Sequence, residues 1–397
     1  LGKESKTESG KMAGEKMISA SISLQPKIWE RLQGIIATGR VGSSYLFSGP
    51  SGCGKEGIAI AFSAGLNCEK KPKGPCGECG SCKRFRTLQH EHLTFIVPLP
   101  GSASTVAGGK GQLKEDRENI GLFQAAIQEK ATNPFFKIAF PKAKQILISS
   151  IRDLRKTLYL KSHIQGRKTV LIFDAHLLSI GQGAAGNALL KILEEPPNNT
   201  TLILVTDYKE QLLPTLSSRC QQVNFPPLDP EVMTLYLEKM GISSELVPVV
   251  TEISQGNMHR AYSLLDKSTE NILVMIKDMV VSIFTEDGSN WRQFINEYSR
   301  LALNDPQEFI FKFHLLQLWL RSAYRGKLGL SSDVSLVGLD EGSLSLVQKL
   351  REIDFLRIDT YLEEILTGMT RNLNTSIALT NLLIKLHREM NEGRLYG

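Results

Sequence analysis

The chain has 397 residues, enough for two or three ordinary domains, and its 42% hydrophobic and 22% charged content excludes a mostly disordered or collagen-like protein. Its 47 Lys and Arg against 41 Asp and Glu leave a net charge of +6. That is mild for the length, and permits contact with nucleic acid without the concentrated basic stripe of a dedicated binder. The densest apolar stretches, such as VVSIF at 280–284, are far too short to span a bilayer, so no membrane partner is expected.

The opening residues LGKESKTESGKMAGEK mix Lys and Glu with Gly and Ser and lack the apolar stretch of a secretory signal. Residues 1–17 read as a disordered tail on a cytoplasmic protein. From about 24 to 225 the pattern is α/β. SSYLFSGPSGCGKEGIAIAFSAGL gives a strand at Tyr45–Ser48, a Gly-rich turn, and a helix from about Lys55. KTVLIFDAHLL predicts a buried strand at Thr169–Asp174, and TTLILVTD another at Thr201–Thr206. Near-continuous aliphatic runs of this kind suit a parallel sheet covered on both faces by helices. Between those strands, a helix containing NALLKILEE stops at Pro196-Pro197, which cannot continue it.

The segment 98–142 opens with PLPGSASTVAGGKG, a loop by composition, and continues with LKEDRENIGLFQAAIQEK, which can form an amphipathic helix. After about 226 the strand pattern stops. Residues 229–268 read as short helices with a break at Gln255-Gly256. From about 270 to 390 the spacing is helical throughout, around an internal Gly- and Ser-containing loop at 326–343.

Three groups of residues carry chemistry. Gly49, Pro50, Ser51, Gly52, Cys53, Gly54 and Lys55 fit the phosphate-loop pattern G-x-x-x-x-G-K between a strand and a helix. There, backbone N–H groups curl around phosphates and the Lys reaches the outer ones. The pattern normally closes with a Ser or Thr hydroxyl for Mg²⁺; here that position is Glu56, and a carboxylate does not reproduce a small neutral ligand. Asp174 stands where such a site places its acidic Mg²⁺ ligand, but Ala175 occupies the position of the base that activates water. His176 is the neighbouring group that could substitute. ATP and Mg²⁺ are therefore possible but doubtful ligands. The second group is Cys68, Cys76, Cys79 and Cys82, spaced C-x7-C-x2-C-x2-C. Four thiolates leave no open position, which predicts a structural zinc site; an iron–sulfur centre is the rival. The third is Arg219 in SSRC.

A phosphate loop, a four-cysteine insertion, LLKILEEPP and SSRC, in that order, resemble the clamp-loader subunits of bacterial DNA polymerase III, members of the AAA+ superfamily. YLFSGPSGCGK, LNC…CGECGSCKRF, ISSIRDLRKTL, NALLKILEEPPNNTTLILVTD and LPTLSSRCQQVNF carry the resemblance over about 24–265, and RNLNTSIALTNLLIKL looks like the family's last helix. The resemblance implies an α/β AAA+ phosphate-loop domain over 18–226 with a zinc module at 68–82; the segment 98–142 exceeds what the family has there and reads as an insertion. The resemblance further implies a small helical lid at 227–268 and an all-α C-terminal collar at 269–397.

The family contains an ATP-hydrolysing gamma/tau branch and a delta-prime branch that serves chiefly as a stator. Glu56, Ala175, and His259 at the position of a sensing Arg in GNMHRA all depart from the gamma pattern, while Thr206 keeps the first sensor position. Arg260 lies one residue off, about 100° around a helix. The delta-prime branch is the expectation. The resemblance also implies that Arg219 projects into a neighbour's ATP site as an arginine finger. Expected partners are gamma/tau and delta subunits in a hetero-pentamer, and, through the assembly, the sliding clamp and primed DNA. A gamma/tau-type motor is the alternative, and a zinc-containing nucleic-acid-binding protein on an inert phosphate-loop scaffold a second one.

Overall fold

The computed structural model describes residues 21–70, 74–100, 115–140, 143–160, 165–242, 244, 246–265, 269–284, 288–327, 354–369 and 374–392. The expected tail at 1–17 and most of the loop expected at 326–343 lie outside these residues. The chain divides into two compact units, residues 1–241 with 256–262, and residues 242–255 with 263–397.

The first unit is built on five parallel strands: β1 (Ser44–Ser48), β2 (Leu93–Ile96), β3 (Lys168–Ile172), β4 (Thr200–Thr206) and β5 (Gln221–Asn224), in the spatial order β2-β3-β4-β1-β5. Every residue of β1 and β4 is buried, as a sheet covered on both faces requires. Its helices are α1 (Pro26–Thr38), α2 (Lys55–Leu66), α3 (Gly80–Arg86), α4 (Glu115–Thr132), α5 (Ile148–Tyr159), α6 (Ala184–Glu194), α7 (Pro214–Ser217) and α8 (Pro230–Lys239).

Alternation along the strands sorts the core. Leu46, Val170, Ile172, Leu202 and Leu204 meet Ile151, Leu154 and Leu158 of α5 and Leu189 and Ile192 of α6. Tyr45 and Phe47, one residue either side of Leu46, pack against Phe62 of α2, with ring centroids 5.4 and 6.5 Å away. Helix α2 is buried from Lys55 to Gly65, so its apolar sequence shows no polar stripe.

The strand expected at Thr169–Asp174 ends earlier, at Ile172. Phe173 N–H still donates to Ile96 O at 2.9 Å, but Asp174 turns into the left-handed region at φ 49°, where a short polar side chain is tolerated. That turn takes its carboxylate off the sheet.

The second unit's described elements are all helices: α9 (Leu246–Ser254), the end of α10 (Met258–Leu265), α11 (Thr269–Phe284), α12 (Gly288–Asn304), α13 (Pro306–Lys327), α14 (Phe355–Met369) and α15 (Thr375–Glu392). Phe309 and Phe313, one turn apart on α13, stack at 4.4 Å, and both are buried, as are Trp319, Leu362 and Leu383. Among the described residues, no helix is long and apolar enough to cross a membrane.

Candidate functional site

The carboxyl ends of β1, β3 and β4 meet at one edge of the sheet, where open α/β sheets bind ligands. The loop after β1 runs from Gly49 to Gly54. Gly52 has φ 71°, and a Cβ on it would come within 1.9 Å of Asn257 Oδ1, so no other residue fits there. Its carbonyl accepts from Met258 N–H at 3.1 Å. Asn257 in turn caps α10, accepting from His259 N–H at 3.0 Å.

Lys55 does not extend outward. Its ammonium donates to Gly49 O at 2.9 Å and Pro50 O at 2.6 Å, and pairs with Asp207 at 2.7 Å. It also lies 3.6 Å from Cys53 Sγ. All three of its protons are committed to the loop and to the residue following β4.

Glu56 is buried and carries two ammonium partners, one from the last turn of α4 and one from the segment after it. Lys130 pairs with Glu56 Oε2, and Lys137 with Oε1 at 3.3 Å. Lys137 also meets Asp174 at 2.7 Å and Asp207 at 3.6 Å. Lys130 is wholly buried and donates further to Pro134 O at 2.9 Å and Phe136 O at 2.7 Å. Three ammonium groups thus face three carboxylates, and the buried charges are paired as they must be. Burial pushes the Glu56 carboxyl up, but Lys130, Lys137 and His259 overcome this and hold it at about 2. Burial opposes the charge on Lys137 as well, and Asp174, Asp207 and Glu56 raise it well above the usual lysine range.

The remaining expected positions are close by. His176 Nδ1 lies 3.1 Å from Thr206 Oγ1, which also accepts from Tyr208 N–H at 3.0 Å. Burial holds His176 below its ordinary pKa. His259 Nδ1 bonds to Phe135 O, and burial, then Lys130 and Lys137, lower its pKa to about 4 against the pull of Glu56. It is a neutral group that fastens the 130–137 segment. Sequence reasoning placed Gly49–Lys55, Asp174 and Thr206 together and missed Lys130, Lys137 and Asp207. The available signal was Lys137 inside the apolar run FFKIAF, since a lysine there needs a carboxylate.

Arg219 stands apart from this cluster. Its backbone carbonyl accepts from Ser44 Oγ at 2.7 Å, fixing the turn to β1. Its guanidinium pairs with Glu194 at 2.7 Å and donates to Thr215 O at 3.0 Å. The side chain is 39% exposed and Glu194 50%, so the pair is weakly held and open to exchange. Cys220 is buried in the α5–α6 core.

The four cysteines converge as expected. Their Sγ atoms all lie within 4.8 Å of one another, with Cys76 and Cys82 at 3.9 Å; sulfurs around a tetrahedral zinc are about 3.8 Å apart. Cys79 N–H reaches Cys76 Sγ and Cys82 N–H reaches Cys79 Sγ, each at 3.4 Å. The donor set therefore fits a metal.

Against known proteins, the profile of the family described as "DNA polymerase III, delta subunit" matches residues 24–229. The chain is 28% identical to the Bacillus subtilis DNA polymerase III subunit tau over 251 residues, 62% of this chain but only 36% of that relative. It is 26% identical to the delta' subunit of the same organism over 233 residues, 59% of this chain and 57% of the relative. With the Escherichia coli delta' subunit it shares 25% over 272 residues, covering 67% of this chain and 78% of the relative. The profile match runs from ahead of the phosphate loop to just past the Ser-Arg-Cys turn, over half of the chain, and the protein therefore belongs to this clamp-loader family of DNA polymerase III.

Proposed function

We propose that this chain is a delta-prime-type subunit of the DNA polymerase III clamp loader, which does not hydrolyse ATP itself and lends Arg219 to the ATP site of a neighbour. The observation that carries the reading is Glu56. At the position of the Mg²⁺-binding hydroxyl stands a buried carboxylate paired with two lysines. Ala175 after β3 has no proton-accepting group, so hydrolysis lacks the hydroxyl that would help hold Mg²⁺ and the base expected after Asp174. Arg219 supports the second half of the reading. It is an exposed guanidinium that, among the described residues, meets the exposed Glu194 carboxylate and Thr215 O.

Within this proposal the 18–226 domain carries the sheet, 227–268 is the lid and 269–397 the collar through which a cytoplasmic hetero-pentamer with gamma/tau and delta subunits assembles. The assembly places the sliding clamp on primed DNA. Cys68, Cys76, Cys79 and Cys82 hold a structural zinc, with no position left for water.

Steady-state ATP hydrolysis by the purified chain with Mg²⁺, beside a Lys55→Ala control, tests the reading. Turnover no greater than the control is expected. Turnover that disappears in the control would instead favour a gamma/tau-type motor, whose relatives match at similar identity.

A further inference from the structure

The last turn of α4 and the segment that follows it lie against the phosphate loop and the ends of β3 and β4. Lys137 places its ammonium among Asp174, Glu56 and Asp207, at 2.7, 3.3 and 3.6 Å. Three carboxylates converging on one point at the carboxyl edge of a sheet are what a divalent cation would require. Here a tethered monovalent cation takes that place. Lys130 completes the arrangement by occupying the other Glu56 oxygen and closing its own turn onto Pro134 and Phe136.

The segment is seated on its far side too. Phe135 is buried between Tyr236 and Tyr262, with ring centroids 6.0 and 5.4 Å away, and its carbonyl is bonded to His259. The phosphate-loop lysine is turned inward on Asp207 and two loop carbonyls.

We propose that residues 130–137 are an internal ligand of the nucleotide site, with Lys137 in place of the divalent cation, so that this chain folds with the site already satisfied and does not bind Mg-ATP. A triphosphate could enter only by expelling Lys137 and Lys130. Its own negative charge would then lie against Glu56, Asp174 and Asp207. Breaking buried pairs of this kind weakens binding by at least about a hundredfold. The proposal goes beyond the absence of hydrolysis, since a site can fail to hydrolyse while holding ATP.

The test uses the full chain. Calorimetric titration with Mg-ATP, and with ATP in EDTA, should show no saturable binding up to about 1 mM, the weak end of affinity. Hydrogen exchange across 130–138 should be slow and identical with and without Mg-ATP. Lys137→Met should lower the Tm by roughly 10 °C, because it strands three carboxylates. Saturable Mg-ATP binding, rapid exchange in 130–138, or an unchanged Tm in Lys137→Met would each overturn the proposal. Binding without turnover would sink this inference alone and leave the non-hydrolysing reading standing, whereas turnover would sink both. The two wild-type measurements decide the matter even where the variant does not fold.

Discussion

Glu56 was legible in the sequence as a defect, because the phosphate-loop pattern names the residue that ought to follow Lys55. Its partners were not. Lys130 ends an amphipathic helix and reads as a solvated charge, and only the fold brings it 74 positions along the chain onto Glu56. Asp207 follows Thr206 at the end of β4 and has no pattern of its own. Pairing makes Glu56 a source of acid sensitivity. Its carboxyl is held at about 2 against an ordinary 4.5, so the folded state favours the ionised form. That contribution, on the order of 3 kcal/mol, is complete above about pH 4.5 and is lost as the pH falls towards 2. Thermal melts of wild type should therefore drop more steeply between these pH values than those of Glu56→Gln, which begins less stable at neutral pH. Parallel curves would mean that Glu56 gains nothing from its lysines.

Among the elements, β1, β3 and β4 could be read directly, since strands buried on both faces carry near-continuous apolar runs. The edge strands could not. β5 (QQVN) buries only Val223 and leaves no run to detect, and β2 (LTFI) is four residues long and only partly buried over its first half. The cysteine module was legible for a different reason, because ligand spacing is local. Cys79 serves twice there, capping α3 through Cys82 N–H and offering a sulfur to the cluster. Folding and metal binding are linked in such sites. Cys79→Ser should lose one equivalent of bound zinc and lower the Tm, and chelation of wild type should do the same. A metal held a thousandfold more tightly than its free concentration supplies about 4 kcal/mol. Equal melts before and after chelation, together with no zinc by metal analysis, would remove the structural role.

For the whole molecule, helical spacing shows which face of each helix is buried but not which neighbour buries it. The helices read between 227 and 268 accordingly distribute over both compact units, with α8 in the first and α9 in the second. The assembly is where Arg219 is expected to act. Arg219→Ala should leave the melt of the isolated chain nearly unchanged, because its pair with Glu194 is exposed. It should lower the ATP turnover of a loader reconstituted with gamma/tau and delta subunits by at least about tenfold, and unaltered turnover would rule out a finger. The balance of Lys55, Lys130 and Lys137 against Glu56, Asp174 and Asp207 also constrains how such a sequence can change over generations. Among the described residues, Glu56 is the carboxylate paired with Lys130 and Asp207 the one paired with Lys55, so losing either acid strands a buried ammonium. A sequence that placed Thr at 56 would leave Lys130, 74 positions away, without its carboxylate, so that exchange is disfavoured unless the lysine changes with it.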